Sequence, residues 1–286
     1  MTQGASETGI TRAAALGDYL RARRGLVRPE DAGFVPEDGR RVAGLRRTEV
    51  AALADVSADY YLRLEQGRDQ RPSEEVLAGI GRALRLDEHA VDYLFRLAYD
   101  VDLFPAERRP LDAGTPAPAG RSVPDTTLLD HWSDTGAYIT DGNRDIVASN
   151  ALARRIGGGL LDVGRNDVLG YFDDRVQSIA PEWEVSAPAV VAALRYSSDP
   201  SSPRLQTIVE ELTARSPLFA RLWARHDARP LAGGPLRASI DEFGTVELQY
   251  QHLLVPDWPG HQLTTVFAER GSPGAAVLAY LAARAD

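Results

Sequence analysis

Apolar residues recur at helical spacing through the N-terminal third of the chain. Spacings of three and four residues place them on one face of an amphipathic helix, with polar residues on the other face. The pattern predicts an all-α N-terminal domain over residues 10–103, with five short helices over residues 13–26, 45–54, 60–64, 76–86 and 91–98.

A stretch rich in proline and glycine follows this domain, over residues 104–124, and shows no apolar period. Proline fixes the backbone and restricts the residue before it, so a dense run of prolines makes a semi-rigid spacer. The composition predicts an interdomain linker.

Beyond the linker the pattern becomes that of an α+β domain, which we expect over residues 125–286. Two β-type runs flank the turn dipeptide Gly142-Asn143 and predict a hairpin over 137–141 and 146–149. Three helices, three strands and a last helix follow, over 187–196, 204–215, 217–226, 236–240, 245–255, 262–269 and 273–283. Ser216 is placed to cap the third of these helices.

Composition and charge restrict the chemistry. The chain has no Cys, which excludes a disulfide framework, a thiolate zinc site and a cysteine nucleophile. Its net charge is -9, but from Arg12 to Arg71 twelve Arg oppose ten acidic residues, a net of +2 that leaves -11 for the rest. A locally basic segment can dock on DNA although the bulk of the protein is acidic.

Membrane and enzyme functions find no support in the sequence. Residues 1–11 lack a signal-peptide pattern, and no apolar run approaches the ~20 residues that span a bilayer, so we expect a cytoplasmic protein without membrane association. The common hydrolase, nucleotide-binding and zinc motifs do not occur, and Gly157-Gly158-Gly159 is typical of a turn. We therefore predict neither an enzyme nor a cofactor.

Residues 45–67 carry the strongest functional signal, two short helices that meet at a sharp turn. Val50 and Ala54 face the core, Ser57 is a good N-cap for the second helix, and Gly67 ends that helix. The second helix then presents its outer face, where a DNA major groove could meet it. A structural alternative is an amphipathic helical hairpin in which Glu65 is solvated or pairs with a nearby Arg.

This segment resembles the Xre-type (Cro/repressor-like) helix-turn-helix family almost throughout. The resemblance implies backbone contacts at the start of the first helix, base contacts from the second and phosphate contacts after it. The DNA-binding residues that we predict are Arg46, Arg47, Thr48, Ser57, Ala58, Asp59, Tyr60, Arg63, Arg68 and Arg71. Asp59 fits least well, since a carboxylate near phosphates is repelled unless it accepts from a cytosine amino group.

A long connection over residues 25–43, together with the stretches at 216–227 and 271–273, is similar to the MmyB-like branch of this family. The resemblance implies a PAS-like C-terminal domain and a small ligand, with a fatty-acyl-like molecule as one candidate. Apolar and aromatic residues could line such a cavity. The ligand-binding residues that we predict are Tyr138, Trp183, Leu194, Phe219, Leu222, Trp223, His226, Tyr250, Leu253 and Phe267. For each aromatic, ordinary core packing is the alternative.

The sequence thus predicts a transcription regulator that binds a double-stranded DNA operator as a homodimer and senses a small apolar or amphipathic molecule. Two-fold related half-sites about one helical turn apart would raise its affinity and specificity. A rival hypothesis keeps the helix-turn-helix but makes the acidic second domain a protein-interaction module. A ligand cavity in that domain, or its absence, distinguishes the two.

Overall fold

The computed structural model describes residues 11–35, 40–68, 71–99, 127–179, 183–240, 242–255, 258 and 260–284. The predicted linker at 104–124 lies outside these residues. The chain divides into two compact units. The first unit comprises Met1–Val101 and Val191–Pro230, and the second comprises Asp102–Val190 and Leu231–Asp286.

The N-terminal region is helical, as the apolar spacing predicts. Its helices are α1 (Arg12–Leu26), α2 (Arg47–Leu53), α3 (Ala58–Glu65), α4 (Glu74–Ala83) and α5 (Glu88–Tyr99), with a 3-10 turn at Glu30–Ala32. Side-chain hydroxyls start three of these helices, because each accepts a hydrogen bond from a backbone amide that has no partner within the helix. These N-caps are Thr11, Ser57 and Ser73.

The C-terminal region is α+β. In chain order it contains α6 (Thr127–Asp130), β1 (Gly136–Thr140), β2 (Ile146–Ser149), α7 (Ala151–Ile156), α8 (Asp167–Tyr171), α9 (Asp174–Ile179), α10 (Trp183–Ser197), α11 (Pro203–Arg215), α12 (Pro217–Trp223), β3 (Gly234–Ile240), β4 (Gly244–Leu254), β5 (Gln262–Phe267) and α13 (Pro273–Ala282). The short helices α6 to α9 were not predicted, since four to six residues show too little of a helical period. The predicted cap Ser216 accepts from the amide of Phe219 at 3.2 Å.

The first unit includes the N-terminal helices and a later helical segment, residues 191–230. Tyr196 on α10 and Ala228 after α12 pack against the core formed by α1 to α5. The Tyr196 hydroxyl donates to Asp92 at 2.8 Å, and Arg96 donates to the Tyr196 carbonyl at 2.9 Å. Residues 191–230 thus belong to the first compact unit, while the domain bounds that the sequence predicts, 10–103 and 125–286, stay a prediction.

The second unit is built on an antiparallel five-stranded sheet, with strand order β2-β1-β5-β4-β3. Across it Tyr138 pairs with Thr264, and Thr264 pairs with His252. Paired residues point to the same side of a sheet, and side chains alternate along each strand. We call the side that carries Tyr138, Thr264 and His252 the inner face. Its apolar part packs on α7 and α13, through a core that includes Leu152, Leu248, Val266, Leu278 and Leu281.

Candidate functional site

Helices α2 and α3 meet as a helix-turn-helix whose inner side is closed and whose outer side is open. Val50, Tyr61 and Leu64 are fully buried. On the other side of α3, Asp59 and Arg63 are exposed to solvent. Because α3 is anchored from within, it can present its outer side chains to a partner without losing its packing.

A buried carboxylate holds α3 in place. The Glu65 side chain is only 1% exposed, and it forms ion pairs with Arg24 of α1 and Arg47 of α2, with each Nε 2.6 Å from a Glu65 oxygen. Arg24 also donates to the carbonyl of Leu45 at 2.8 Å. Glu65 is therefore paired with arginines and is not solvated. The pairing ties three helices together, which an isolated helical hairpin does not require.

A second network orients the start of α2. The Glu49 side chain accepts from the backbone amide of Arg46 at 2.6 Å and from both terminal nitrogens of Arg40. The hydrogen bond from Arg40 is the main cause that lowers the pKa of Glu49, opposed by burial. Glu49 therefore stays ionised near neutral pH and stabilises the positive end of the helix dipole.

The end of α3 lies against α1 with almost no space between the backbones. A Cβ atom on Gly17 would lie 2.5 Å from the carbonyl oxygen of Glu65. Gly67, which ends the helix, has φ +63° and lies close to the backbone of Ala13. Glycine at both positions thus fixes how closely α1 and α3 approach.

The predicted DNA-binding residues lie along one continuous segment, and most of them reach solvent. Arg46 and Tyr60 are half-buried, and the Arg63 guanidinium lies 5.5 Å from the centre of the Tyr60 ring. The others are exposed: Arg47, Thr48, Ser57, Ala58, Asp59, Arg63, Arg68 and Arg71. The Ser57 hydroxyl already accepts from the Tyr60 amide at 3.1 Å. The positioning residues Arg24 and Arg40 were not predicted, because they act from other parts of the sequence.

Half of the predicted ligand-binding residues belong to the first unit: Leu194, Phe219, Leu222, Trp223 and His226. Phe219 is fully buried and its ring stacks on that of Trp223, with centroids 5.6 Å apart. The guanidinium of Arg195 lies 3.7 Å from the centre of the Trp223 ring. The Trp223 ring therefore packs between Phe219 and Arg195.

His226 extends the same cluster toward α1. Its Nδ1 lies 3.2 Å from a terminal nitrogen of Arg195, and its ring centre lies 6.5 Å from that of Tyr19. Burial, and then the charge of Arg195, lower the pKa of His226 to about 3. The next residue, Asp227, forms an ion pair with Arg23 of α1.

The other five predicted ligand-binding residues belong to the second unit, and four of them lie on two different faces of its sheet. Tyr138 and Tyr250 lie on the inner face, because each pairs with a residue of β5 that points to that side. Leu253 and Phe267 alternate with inner-face positions and lie on the opposite face. Trp183, at the start of α10, is half-buried.

Trp183 belongs to an aromatic cluster that was not predicted in full. Its ring packs edge-on against Tyr171 and Phe172 of the preceding segment, with centroids 6.3 and 5.7 Å away. Tyr171 also donates to the Trp183 carbonyl. The polar inner-face residues His252 and Thr264 were missed as well, although their alternation with outward positions along β4 and β5 was a readable signal.

Two protein-family models match the chain. A family model described as the MmyB-like transcription regulator ligand binding domain matches residues 126–281, more than half of the chain. The chain belongs to this MmyB-like family. A second model, described as a helix-turn-helix domain, matches residues 15–94. No curated protein matches the chain.

These matches confirm the predicted resemblance. The helix-turn-helix domain suggests a DNA-binding transcription regulator, and the MmyB-like domain suggests a role in sensing a ligand. Neither family is an enzyme family. Among the helices that the structure describes, none is long and apolar enough to cross a membrane.

Proposed function

We propose that this MmyB-like protein is a sequence-specific transcription regulator whose affinity for its operator changes when a small molecule binds in the C-terminal domain. The main support is the arrangement of α3. Its inner side is held by the buried residues Tyr61, Leu64 and Glu65, and its outer side is exposed to solvent. A rigid helix with a solvent-exposed polar face is what reading base edges in the major groove requires. Such a protein works where its operator DNA lies, and we place it in the cytoplasm.

In this proposal the exposed arginines contact different parts of the DNA. Arg63, on the outer face of α3, is suited to bidentate hydrogen bonds with guanine. Arg68 and Arg71 follow the helix and would hold phosphates, which set the register but carry no sequence information. Arg47 shares its charge with Glu65 and keeps its side chain 47% exposed, so it can still reach a phosphate.

We further propose that the protein acts as a homodimer and that its second unit is PAS-like. One α3 helix covers only a few base pairs, and two related half-sites multiply the discrimination. An antiparallel five-stranded sheet with α7 and α13 packed on its inner face is compatible with a PAS-like sensor. The ligand has to bind one conformation more tightly than the other in order to change the DNA affinity.

The test is a fluorescence anisotropy titration of the full chain against its own promoter region and against an unrelated duplex of equal length, at fixed physiological salt. We expect a preference of ~1000-fold or more for the promoter. Equal and weak binding to both duplexes would contradict operator recognition. The rival hypothesis, a helix-turn-helix protein whose second domain binds another protein, would then be favoured.

A further inference from the structure

The later helical segment of the first unit, residues 191–230, contacts α1 and α5 mainly through polar groups. Within the described residues, it adds only Ala228 and the partly buried Tyr196 to the apolar core of α1 to α5. Its polar contacts include the ion pairs Asp227–Arg23 and Asp199–Arg12 and the hydrogen bonds Tyr196–Asp92 and Arg96–Tyr196. Partly exposed ion pairs contribute little net stability, so this contact can open at a lower cost than a contact between two apolar faces.

Two neighbouring residues of α1 connect this segment to α3. Arg23 forms an ion pair with Asp227, and the next residue, Arg24, forms the buried ion pair with Glu65 at the end of α3. Arg21 also donates to the backbone carbonyl of Glu65, at 3.0 Å. A helix transmits a displacement as a rigid element, so a shift of α1 at Arg23 also moves Arg24. The position of α3 therefore depends on whether Asp227 holds Arg23.

Helix α10 connects the segment to the second unit along the chain, because the boundary between the two units falls inside it, after Val190. At the start of α10 the Trp183 ring packs edge-on against Tyr171 and Phe172, which belong to the second unit as well. Pro188 lies inside the helix, just before the boundary. A proline at such a position removes a backbone hydrogen bond and is the usual site of a helix bend. Pro188 is thus placed to act as a hinge.

We propose that residues 191–230 are a control segment: their contact with α1 holds α3 ready for DNA, and release of that contact lowers the affinity for the operator. A ligand in the second unit would move α10 about Pro188 and break the Asp227–Arg23 pair. With α1 released, α3 is held less firmly, and ordering it on DNA costs conformational entropy. The inference rests on the proposed function and adds to it the element that carries the signal and the direction of the response.

The test replaces Asp227 with Asn in the full chain and follows hydrogen–deuterium exchange of the α3 amides by mass spectrometry. We expect these amides to exchange about 5-fold faster or more, because the change loosens α1. The control is Glu211→Gln, which removes the same charge from the same segment at an exposed pair with Arg215 and should leave α3 unchanged. Equal exchange of α3 in the parent protein and Asp227→Asn would overturn the inference.

The promoter titration gives an independent reading of the same variant. Asp227→Asn removes a negative charge, which by itself would strengthen binding to DNA. The control segment requires the opposite result, a promoter affinity about 5-fold weaker or more, and unchanged or tighter binding would contradict it. Should Asp227→Asn fail to fold, the reversed pair decides: Arg23→Asp combined with Asp227→Arg should bind the promoter more tightly than Asp227→Arg alone. Equal affinities of these two variants would also overturn the inference.

The two measurements separate this inference from the proposed function. If α3 exchange responds to Asp227→Asn while the parent protein binds the promoter and unrelated DNA equally, operator recognition fails and the coupling of Asp227 to α3 is supported. If the parent protein prefers its promoter and neither measurement responds to Asp227→Asn, operator recognition is supported and the control segment is rejected.

Discussion

Arg24 and Glu65 form a buried ion pair that joins the first helix to the last turn of α3, with Arg24 Nε 2.6 Å from Glu65 Oε1. Their side chains are 11% and 1% exposed. The pair lies on the side of α3 opposite the face that would meet DNA. It therefore fixes the angle and depth at which that face is presented, although neither residue needs to touch DNA.

Replacing Glu65 with Gln should be strongly destabilising. The change keeps the shape but removes the charge that balances Arg24 and Arg47, and breaking one partner of a buried pair costs about 3–5 kcal/mol. Urea unfolding followed by far-UV circular dichroism measures the loss. The matched control is Glu211→Gln, which breaks an exposed pair with Arg215 on α11 and should cost less than about 1 kcal/mol. Equal losses in both variants would contradict the structural role of Glu65.

Replacing two glycines of α1 with alanine, one at a time, should change the stability in opposite directions. At Gly17 a Cβ would lie 2.5 Å from the carbonyl oxygen of Glu65, so Gly17→Ala must push α1 away from α3. We expect a loss of about 1–3 kcal/mol, the usual range for overpacking a close contact. At Gly25 a Cβ meets nothing within 4 Å, and Gly25→Ala should be neutral or stabilise the helix by up to about 1 kcal/mol. Thermal unfolding of the two variants in parallel tests this contrast.

Arg63→Ala and Arg68→Ala should separate specificity from affinity. Loss of a base-reading arginine should weaken binding to the promoter by about 1–3 kcal/mol and leave binding to random DNA almost unchanged. Loss of a phosphate contact should weaken both and lower the magnitude of the salt dependence by about one unit of slope. Anisotropy titrations at several salt concentrations measure both quantities. Arg63 is withdrawn as a base reader if its loss reduces the two affinities equally.

Stability should fall as the pH drops below about 6.5, in part because of His226. Its pKa is about 3 in the folded protein, below the usual value of 6.5, so the unfolded chain binds a proton that the folded protein excludes. The stabilisation is complete above pH 6.5 and is lost toward pH 3, at up to about 1.4 kcal/mol per pH unit.

His226→Asn tests this pH dependence. Asparagine keeps a hydrogen-bond acceptor for Arg195 and tolerates the left-handed backbone at this position, where φ is +54°. The variant should unfold with a smaller pH dependence between pH 6.5 and 4 than the parent protein. His131→Asn, at an exposed position, serves as the control. A slope that is the same in all three proteins would contradict the role of His226.

The helix-turn-helix could be predicted closely because its signals are local. Ser57 caps its own helix, and Gly67 ends it with a positive φ, both within a few residues of the feature they control. The pairing of Arg24 with Glu65 joins positions 41 residues apart, and no spacing rule connects them. The network that positions α3 therefore emerged only from the structure.

The predicted ligand-binding residues stay a prediction, and the sequence could not show how they are arranged, for a physical reason. Helical spacing shows that one side of α12 is apolar, but Trp223 gives no sign of whether a ligand or Arg195 covers it. The strand residues carried a usable signal, since Tyr250 and Leu253 are three apart and a strand must point them to opposite faces. Applied along β4, the same rule places His252 beside Tyr250.

The association of residues 191–230 with the N-terminal helices affects how such genes can recombine. A crossover within residues 104–124 would exchange everything after the linker, including residues 191–230, which complete the core around α1 and α5. Tyr19 and Tyr93 would then face helices from another lineage, and a chimera would fold well only if the substituted segment kept their shape and charge. The proline-rich linker is thus a natural place to divide the sequence, but exchanging everything after it also replaces part of the core of the first unit.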